Sequence, residues 1–205
     1  MSGGGASAAP FTGGAAATDA VRAKVVPELL AAFSDGVTEL DTPFDIPQVQ
    51  VAPGRLAAVA RWLKERGFNV LVDVGGVDYL PRTPRFEVVY HLLALPQLWR
   101  LRLRVPVEEA SPVVPTVSDL WPSATHAERE VWDLFGIRFE GHPELTRILM
   151  PSDWEGHPLR KDYPLQGPRA GFPAHPADRN RYRAPKLPGD PPGAKGAAGA
   201  TKGGN

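Results

Sequence analysis

The stretch VLVDVGGVDYLPRTPRFEVVYHLLALPQLWRLRLRV, residues 70–105, decides the fold. At its end Trp99, Leu101, Leu103 and Val105 alternate strictly with Arg100, Arg102 and Arg104, the period-two pattern of a half-buried strand with a charged outer face. Before it, Phe86, Val88, Tyr90 and Leu92 share one face, while Glu87, Val89, His91 and Leu93 share the other. Val70, Val72 and Val74 alternate as well, and the Gly75-Gly76 pair that follows predicts a β-bulge. The connections at 80–84 and 95–98 are short enough to join antiparallel neighbours.

Toward the N-terminus, Leu56, Val59, Ala60 and Leu63 recur at helical spacing and Gly67 ends the helix they predict. Two short strands are expected near 36–40 and 47–52, on either side of the turn-rich DTPFDIP. A first helix is expected near 19–34 from Val25, Leu29, Leu30 and Phe33, with Pro27 either kinking it or marking its true start. The order α-β-β-α-β-β-β over 18–136 predicts an α+β domain of two layers. Its sheet has about five strands, mainly antiparallel, with helices on one face.

Toward the C-terminus, HAEREVWDLFGI predicts a short amphipathic helix with Ala127, Val131, Leu134 and Phe135 as its apolar stripe. Thr125 and Glu128 have the spacing of a capping box, Arg129 and Asp133 that of an i, i+4 ion pair, and Gly136 supplies the stop. Residues 137–165 show little periodicity and are expected to form an extended segment lying over the domain or over a neighbour.

Composition limits the function classes. With 205 residues and 42% apolar content the chain supports one ordinary core plus appendages. Residues 1–17 hold five Gly and six Ala and are expected to be disordered. Residues 166–205 hold seven Pro and eight Gly and are expected to form a tail that needs a partner. The formal charge is zero overall, but 1–165 carries 16 basic and 21 acidic side chains and 166–205 carries seven and two. An acidic body argues against a nucleic-acid-binding domain. The absence of cysteine excludes disulfides, thiolate zinc sites, thiol nucleophiles and ordinary iron-sulfur ligation in this chain. No apolar run approaches the roughly 20 residues of a membrane-spanning helix. The first residues lack the basic start and apolar core of a signal peptide. A cytoplasmic protein that meets a membrane only through partners is expected.

Candidate chemistry is sparse. Glu128, Glu130 and Asp133 resemble an acid-base set only in type, because the capping box and the ion pair already account for two of them. The His-Pro dipeptides at His142, His157 and His175 are too widely spaced for a metal shell without helical His-x-x-x-His or Cys. Gly75-Gly76 is not followed by the pattern of a dinucleotide fingerprint, and no P-loop or nucleophile elbow occurs. The arginine stripe reads as a solvated face paired with Glu87 across the sheet. No catalytic, cofactor-binding or metal-binding residue is assigned.

One stretch carries a specific resemblance: EREVWDLFGIRFEGHPELTRILMPSDWEGHPLRKDYPL, residues 128–165. With Glu128, Arg129, Glu130, Asp133, Leu134 and Phe135, then His142 and Pro143, then His157 through Pro164 without a gap, it closely resembles the signature region of the C-type, 30 kDa subunit of respiratory NADH-quinone oxidoreductase, complex I. DVGGVDYL at 73–80 and PTVSDLWPSA at 115–124 also look like that family. The likeness spans about 55–165 and is weaker from 20. The family's basic position four residues after His142 is Thr146 here, followed by Arg147, so any ion pair made there must come from Arg147.

The resemblance implies an assembly subunit without a cofactor of its own. NADH, FMN, iron-sulfur clusters and quinone would belong to partner subunits. It implies a place beside the quinone-reducing D-type subunit and near the cluster-bearing B-type and I-type subunits, on the cytoplasmic face of the bacterial inner membrane. It also leaves open the equivalent subunit of a related membrane-bound hydrogenase or NDH-type complex. The partner interface expected on this basis comprises Glu128, Arg129, Asp133, His142, Arg147, His157, Arg160, Lys161, Asp162 and Tyr163. Within it, 157–164 is expected to act as a clamp, with Leu159 and Tyr163 as apolar anchors and the Arg160 fork aimed at a carboxylate of another chain.

Overall fold

A computed structural model describes residues 13–41 and 46–164 of the chain. The chain divides into two units, Met1–Gly167 and Pro168–Asn205, and the second lies outside the described residues, as does all of the basic tail expected at 166–205.

Helix α1 (Gly13–Ala20) runs through a π-helical turn (Val21–Val25) into α2 (Val26–Ala32). It begins inside the stretch expected to be disordered, because Ala15, Ala16 and Ala17 carry the highest helix propensity of any residue. Residues 1–12 lie outside the described residues. Pro27 sits in the first turn of α2, where its missing N–H costs nothing, and the wide turn before it is closed by Val26 N–H to Val21 O. The two short strands are β1 (Val37–Leu40) and β2 (Gln48–Val51), and the next helix is α3 (Leu56–Glu65). Strands β3 (Val70–Asp78), β4 (Phe86–Ala94) and β5 (Trp99–Val107) follow.

The five strands form one sheet in the order β1-β2-β5-β4-β3. Pairing is antiparallel except between β2 and β5, which run parallel. The α+β class and the mainly antiparallel sheet therefore hold as read from the sequence. Register places Val49, Leu103 and Tyr90 side by side, with Val74 beside Tyr90. Those residues and their i±2 neighbours Val51, Leu101, Val105, Val88 and Leu92 are buried against Leu29, Leu56, Val59 and Leu63 of the helices. The opposite face carries Arg100, Arg102, Arg104, Glu87 and His91, and Arg104 Nε donates to Glu87 Oε1 at 2.7 Å.

Two local expectations are corrected. The bulge in β3 falls between Leu71 and Asp73, turning Val72 outward to 61% exposure, while Gly75 and Gly76 stay in register with Val89 and Val88. Gly76 serves close packing: a Cβ there would lie 2.6 Å from Phe135 Cδ2 and 3.1 Å from Val131 Cγ1 of the last helix. The connection after β5 contains a strand, β6 (Val113–Pro115), paired in parallel with β7 (Arg138–Glu140) across the intervening helix α4 (Ala124–Phe135). Three residues each are too few for a periodic signal. The same connection covers the edge of the main sheet, where Trp121 Nε1 donates to Phe68 O and Ser123 Oγ to Leu71 O.

Candidate interface: a strap closed over the end of helix α4

A helix ends with four carbonyls that have no partner within it. For α4 these are the carbonyls of Trp132, Asp133, Leu134 and Phe135, and each has a named donor. Gly136 N–H reaches Trp132 O at 2.8 Å from a left-handed backbone, φ +76. The other three are taken by the irregular segment 141–164, which folds back as a strap. His157 Nδ1 lies 2.9 Å from Asp133 O, Leu159 N–H donates to Leu134 O at 3.0 Å, and Arg160 Nε donates to Phe135 O at 2.6 Å. A carbonyl only accepts, so Nδ1 of His157 carries the proton. Burial lowers the His157 pKa, and the nearby Arg160 and Arg147 cations lower it further. Both cations also suit the negative end of the helix.

Asp133 is the second anchor. It is fully buried on α4, and its Oδ2 accepts the N–H groups of Ile148, Leu149 and Met150 at 3.1, 2.9 and 2.9 Å. Its Oδ1 accepts Arg147 Nη1 at 2.5 Å, and Arg147 Nη2 goes on to the carbonyls of Trp154 and Gly156. Burial pushes this carboxyl upward, but the amides and Arg147 outweigh it and hold it below the usual range. Arg147 thus supplies an ion pair from the position after Thr146.

The third anchor lies at the end of the sheet. Arg85, 3% exposed, takes Asp78 bidentately at 3.0 and 2.8 Å, Asp162 at 2.5 and 3.1 Å, and Glu109 at 2.5 Å. Lys161 N–H adds a bond to Asp78 Oδ2 at 2.8 Å. Burial alone would raise the Asp78 pKa, yet Arg85 and two amides hold it far below the ordinary value.

Two expectations about α4 change. Thr125 and Glu128 form no capping box: the helix starts two residues earlier, at Ala124 after Ser123, and Glu128 points inward, fully buried. There Thr116 Oγ1 donates to its Oε2 at 2.5 Å and Val117 N–H to its Oε1 at 2.9 Å, with no cation beside it. Burial pushes its pKa up to about 7, and Asp119 adds to the rise. Arg129 and Asp133 do not pair with each other, because Asp133 faces the interior; Arg129 donates to the carbonyls of Thr146 and Arg147 at 3.0 and 2.9 Å. The Arg160 guanidinium lies over the Phe86 ring at 5.1 Å with its Nε on Phe135 O.

The remaining residues of the expected interface also hold the strap. His142 Nε2 donates to Thr125 O while its Nδ1 accepts Glu144 N–H, both at 3.0 Å. Tyr163 OH donates to Glu155 O at 3.1 Å and its ring covers Gly156. Sequence reading assigned no role to Arg85 and Asp78, which show as a charge at each end of the turn between two apolar strands, Asp78 within the family-like 73–80 stretch. Thr116 lay in the family-like 115–124 stretch without any sign of its partner. A separate groove of about 400 Å³ runs along α3, lined by Phe33, Ala57, Ala58, Arg61, Trp62 and Glu65. It brings one acid and one base together against apolar walls and offers no second acid.

Comparison with known proteins places this geometry. The family described as the 30 kDa subunit of respiratory-chain NADH dehydrogenase matches residues 49–169. The C-type subunit of NADH-quinone oxidoreductase from Roseiflexus sp. (strain RS-1) is 49% identical over 153 residues, covering 73% of this chain and 88% of the relative. The protein of the same description from Geobacter sulfurreducens is 52% identical over 122 residues, 58% of this chain and 75% of the relative. Among solved structures, a trypsin-resistant fragment (1-134) of Nqo5 is 41% identical with a TM-score of 0.55, covering 60% of this chain and 98% of the fragment. A chain of the membrane-bound sulfane sulfur reductase, an archaeal respiratory membrane complex, is 25% identical with a TM-score of 0.61, covering 70% of this chain and 86% of that one.

Proposed function

Because this chain belongs to the family of the 30 kDa, C-type subunit of respiratory-chain NADH dehydrogenase, we propose that it works as a docking subunit of the peripheral arm and carries no cofactor itself. As a member of that family it is part of an oxidoreductase complex of respiratory electron transport. No helix among the described residues is long and apolar enough to cross a membrane, which fits peripheral association through the complex. In this reading the chain sits at the cytoplasmic face of the bacterial inner membrane, against the quinone-reducing D-type subunit and near the B-type and I-type subunits. NADH, FMN, iron-sulfur clusters and quinone are held by those and other partners, and electrons pass beside this chain rather than through it.

The observation that carries the reading is the accounting at the end of α4. Asp133, Arg147, His157, Arg160 and Asp162, five polar residues of the family-like segment, direct their groups at this chain's own groups, chiefly the backbone at the helix end and Arg85. Groups so engaged build a rigid outer shape, which is what docking requires. The likeness to the sulfane sulfur reductase chain favours a second reading, a similar subunit in another respiratory membrane complex, but the 49% identity to the Roseiflexus relative weighs toward NADH-quinone oxidoreductase.

The test is affinity purification of the tagged chain in mild detergent. The flavin-bearing and quinone-reducing subunits should co-purify, and the chain stripped of partners should be colourless. A stoichiometric flavin or cluster absorbance in the stripped chain contradicts the reading.

A further inference from the structure

Of the six large apolar side chains exposed among the described residues, three lie on the strap: Ile148 at 39%, Leu149 at 53% and Leu159 at 52%. Exposure on an irregular segment would ordinarily mean a mobile side chain, yet the backbone here is fixed. The amides of Ile148 and Leu149 both end on buried Asp133, and that of Leu159 ends on the neighbouring Leu134 carbonyl. The three side chains are therefore displayed from adjacent points of one helix end. An apolar group held in place before contact loses little entropy on binding, the property of an interface anchor.

The exposed charge around them is mainly acidic, set against two exposed cations, Arg138 and Lys161. Between 139 and 156 the charged residues are Glu140, Glu144, Arg147, Asp153 and Glu155. Arg147 is taken by Asp133, and the four acids are exposed. We propose that Ile148, Leu149 and Leu159 form the apolar centre of the contact with a neighbouring subunit of the complex, entering an apolar recess on that subunit bordered by Lys and Arg side chains. The proposal rests on the docking reading and names the surface that performs it. The acidic rim selects a basic-edged protein site over an anionic lipid surface and disfavours a second copy of the same patch.

The test uses the full tagged chain expressed in place of the native copy, with complex occupancy read from native gels. Leu149→Asp with Leu159→Asp should lower occupancy on the order of tenfold or more, while the melting temperature of the chain alone stays unchanged, since both side chains already face solvent. Glu144→Lys with Glu155→Lys should slow association at low salt and lose that effect at high salt. Val72→Asp, on the bulge of β3, should leave occupancy intact. Unchanged occupancy in the double leucine variant, an equal loss in Val72→Asp, self-association of the chain through these leucines, or their capture by vesicles of phosphatidylglycerol and phosphatidylethanolamine would overturn the proposal. If instead the unaltered chain co-purifies with no other component of the complex, the docking reading itself fails.

Discussion

Asp133 and Glu128 are fully buried carboxyl groups on one helix, five positions apart, with opposite chemistry. Three amides and Arg147 surround Asp133, so it is stable as an anion. Around Glu128 are one hydroxyl, one amide, Asp119 and the buried Tyr90 ring, whose pKa is raised by burial and by Glu128 itself, and no cation compensates the charge. The sign of the linkage follows. A folded pKa of about 7 above an unfolded value of 4.5 gives stability that is complete below the lower value and lost as pH rises to about 7. Glu128→Gln keeps the shape and removes the charge. Its stability relative to the unaltered chain should therefore rise by about 2 to 3 kcal/mol between roughly pH 5 and pH 8, measured by urea unfolding at both. An offset that does not change with pH would mean that Glu128 is ionised throughout. Neither environment was legible in the sequence, where local spacing suggested a capping box and an i, i+4 pair. Both partners that matter, Thr116 and Arg147, lie outside the helix and meet it only after the chain folds back.

At the scale of elements, period-two alternation identified β4 and β5 because each buries one face and leaves arginines, a glutamate and a histidine on the other. It found β3 but put Val72 on the wrong face, because the bulge there breaks the alternation, and it missed β6 and β7, which are too short to show any. The strap has no period because its backbone bonds go to side chains and to a helix end instead of to a ladder. Gly136 is the hinge of this arrangement: its φ is +76, and a Cβ would lie 2.5 Å from both His157 Cδ2 and Arg160 Nη2. Gly136→Ala should destabilise the chain by about 1 to 3 kcal/mol and speed tryptic cleavage after Arg160 and Lys161, since the new methyl displaces the residues that hold the strap. Cleavage at the unaltered rate would show that the strap is closed by Arg85 alone.

Across the whole molecule, Arg85 joins parts that the sequence keeps far apart: Asp78 at the end of β3, Glu109 after β5, and Asp162 on the strap, 77 residues away. The family-like segment was legible as a motif, but its role was read as reaching outward. Asp133, Arg147, His157, Arg160 and Asp162 bond to the chain's own helix end and to Arg85, while Ile148, Leu149, Leu159, Lys161 and the exposed acids face outward. The central claim is that this segment shapes a docking surface and performs no chemistry. Loss of Arg160 uncaps Phe135 O and loss of Asp162 removes one arm of the Arg85 cluster, so either change loosens the displayed surface without touching electron transfer. The most direct measurement is the quantity of assembled complex on native gels beside NADH-quinone activity per assembled complex, for Arg160→Ala and Asp162→Ala. The account predicts less complex with nearly normal activity in what assembles; full assembly with abolished activity would contradict it.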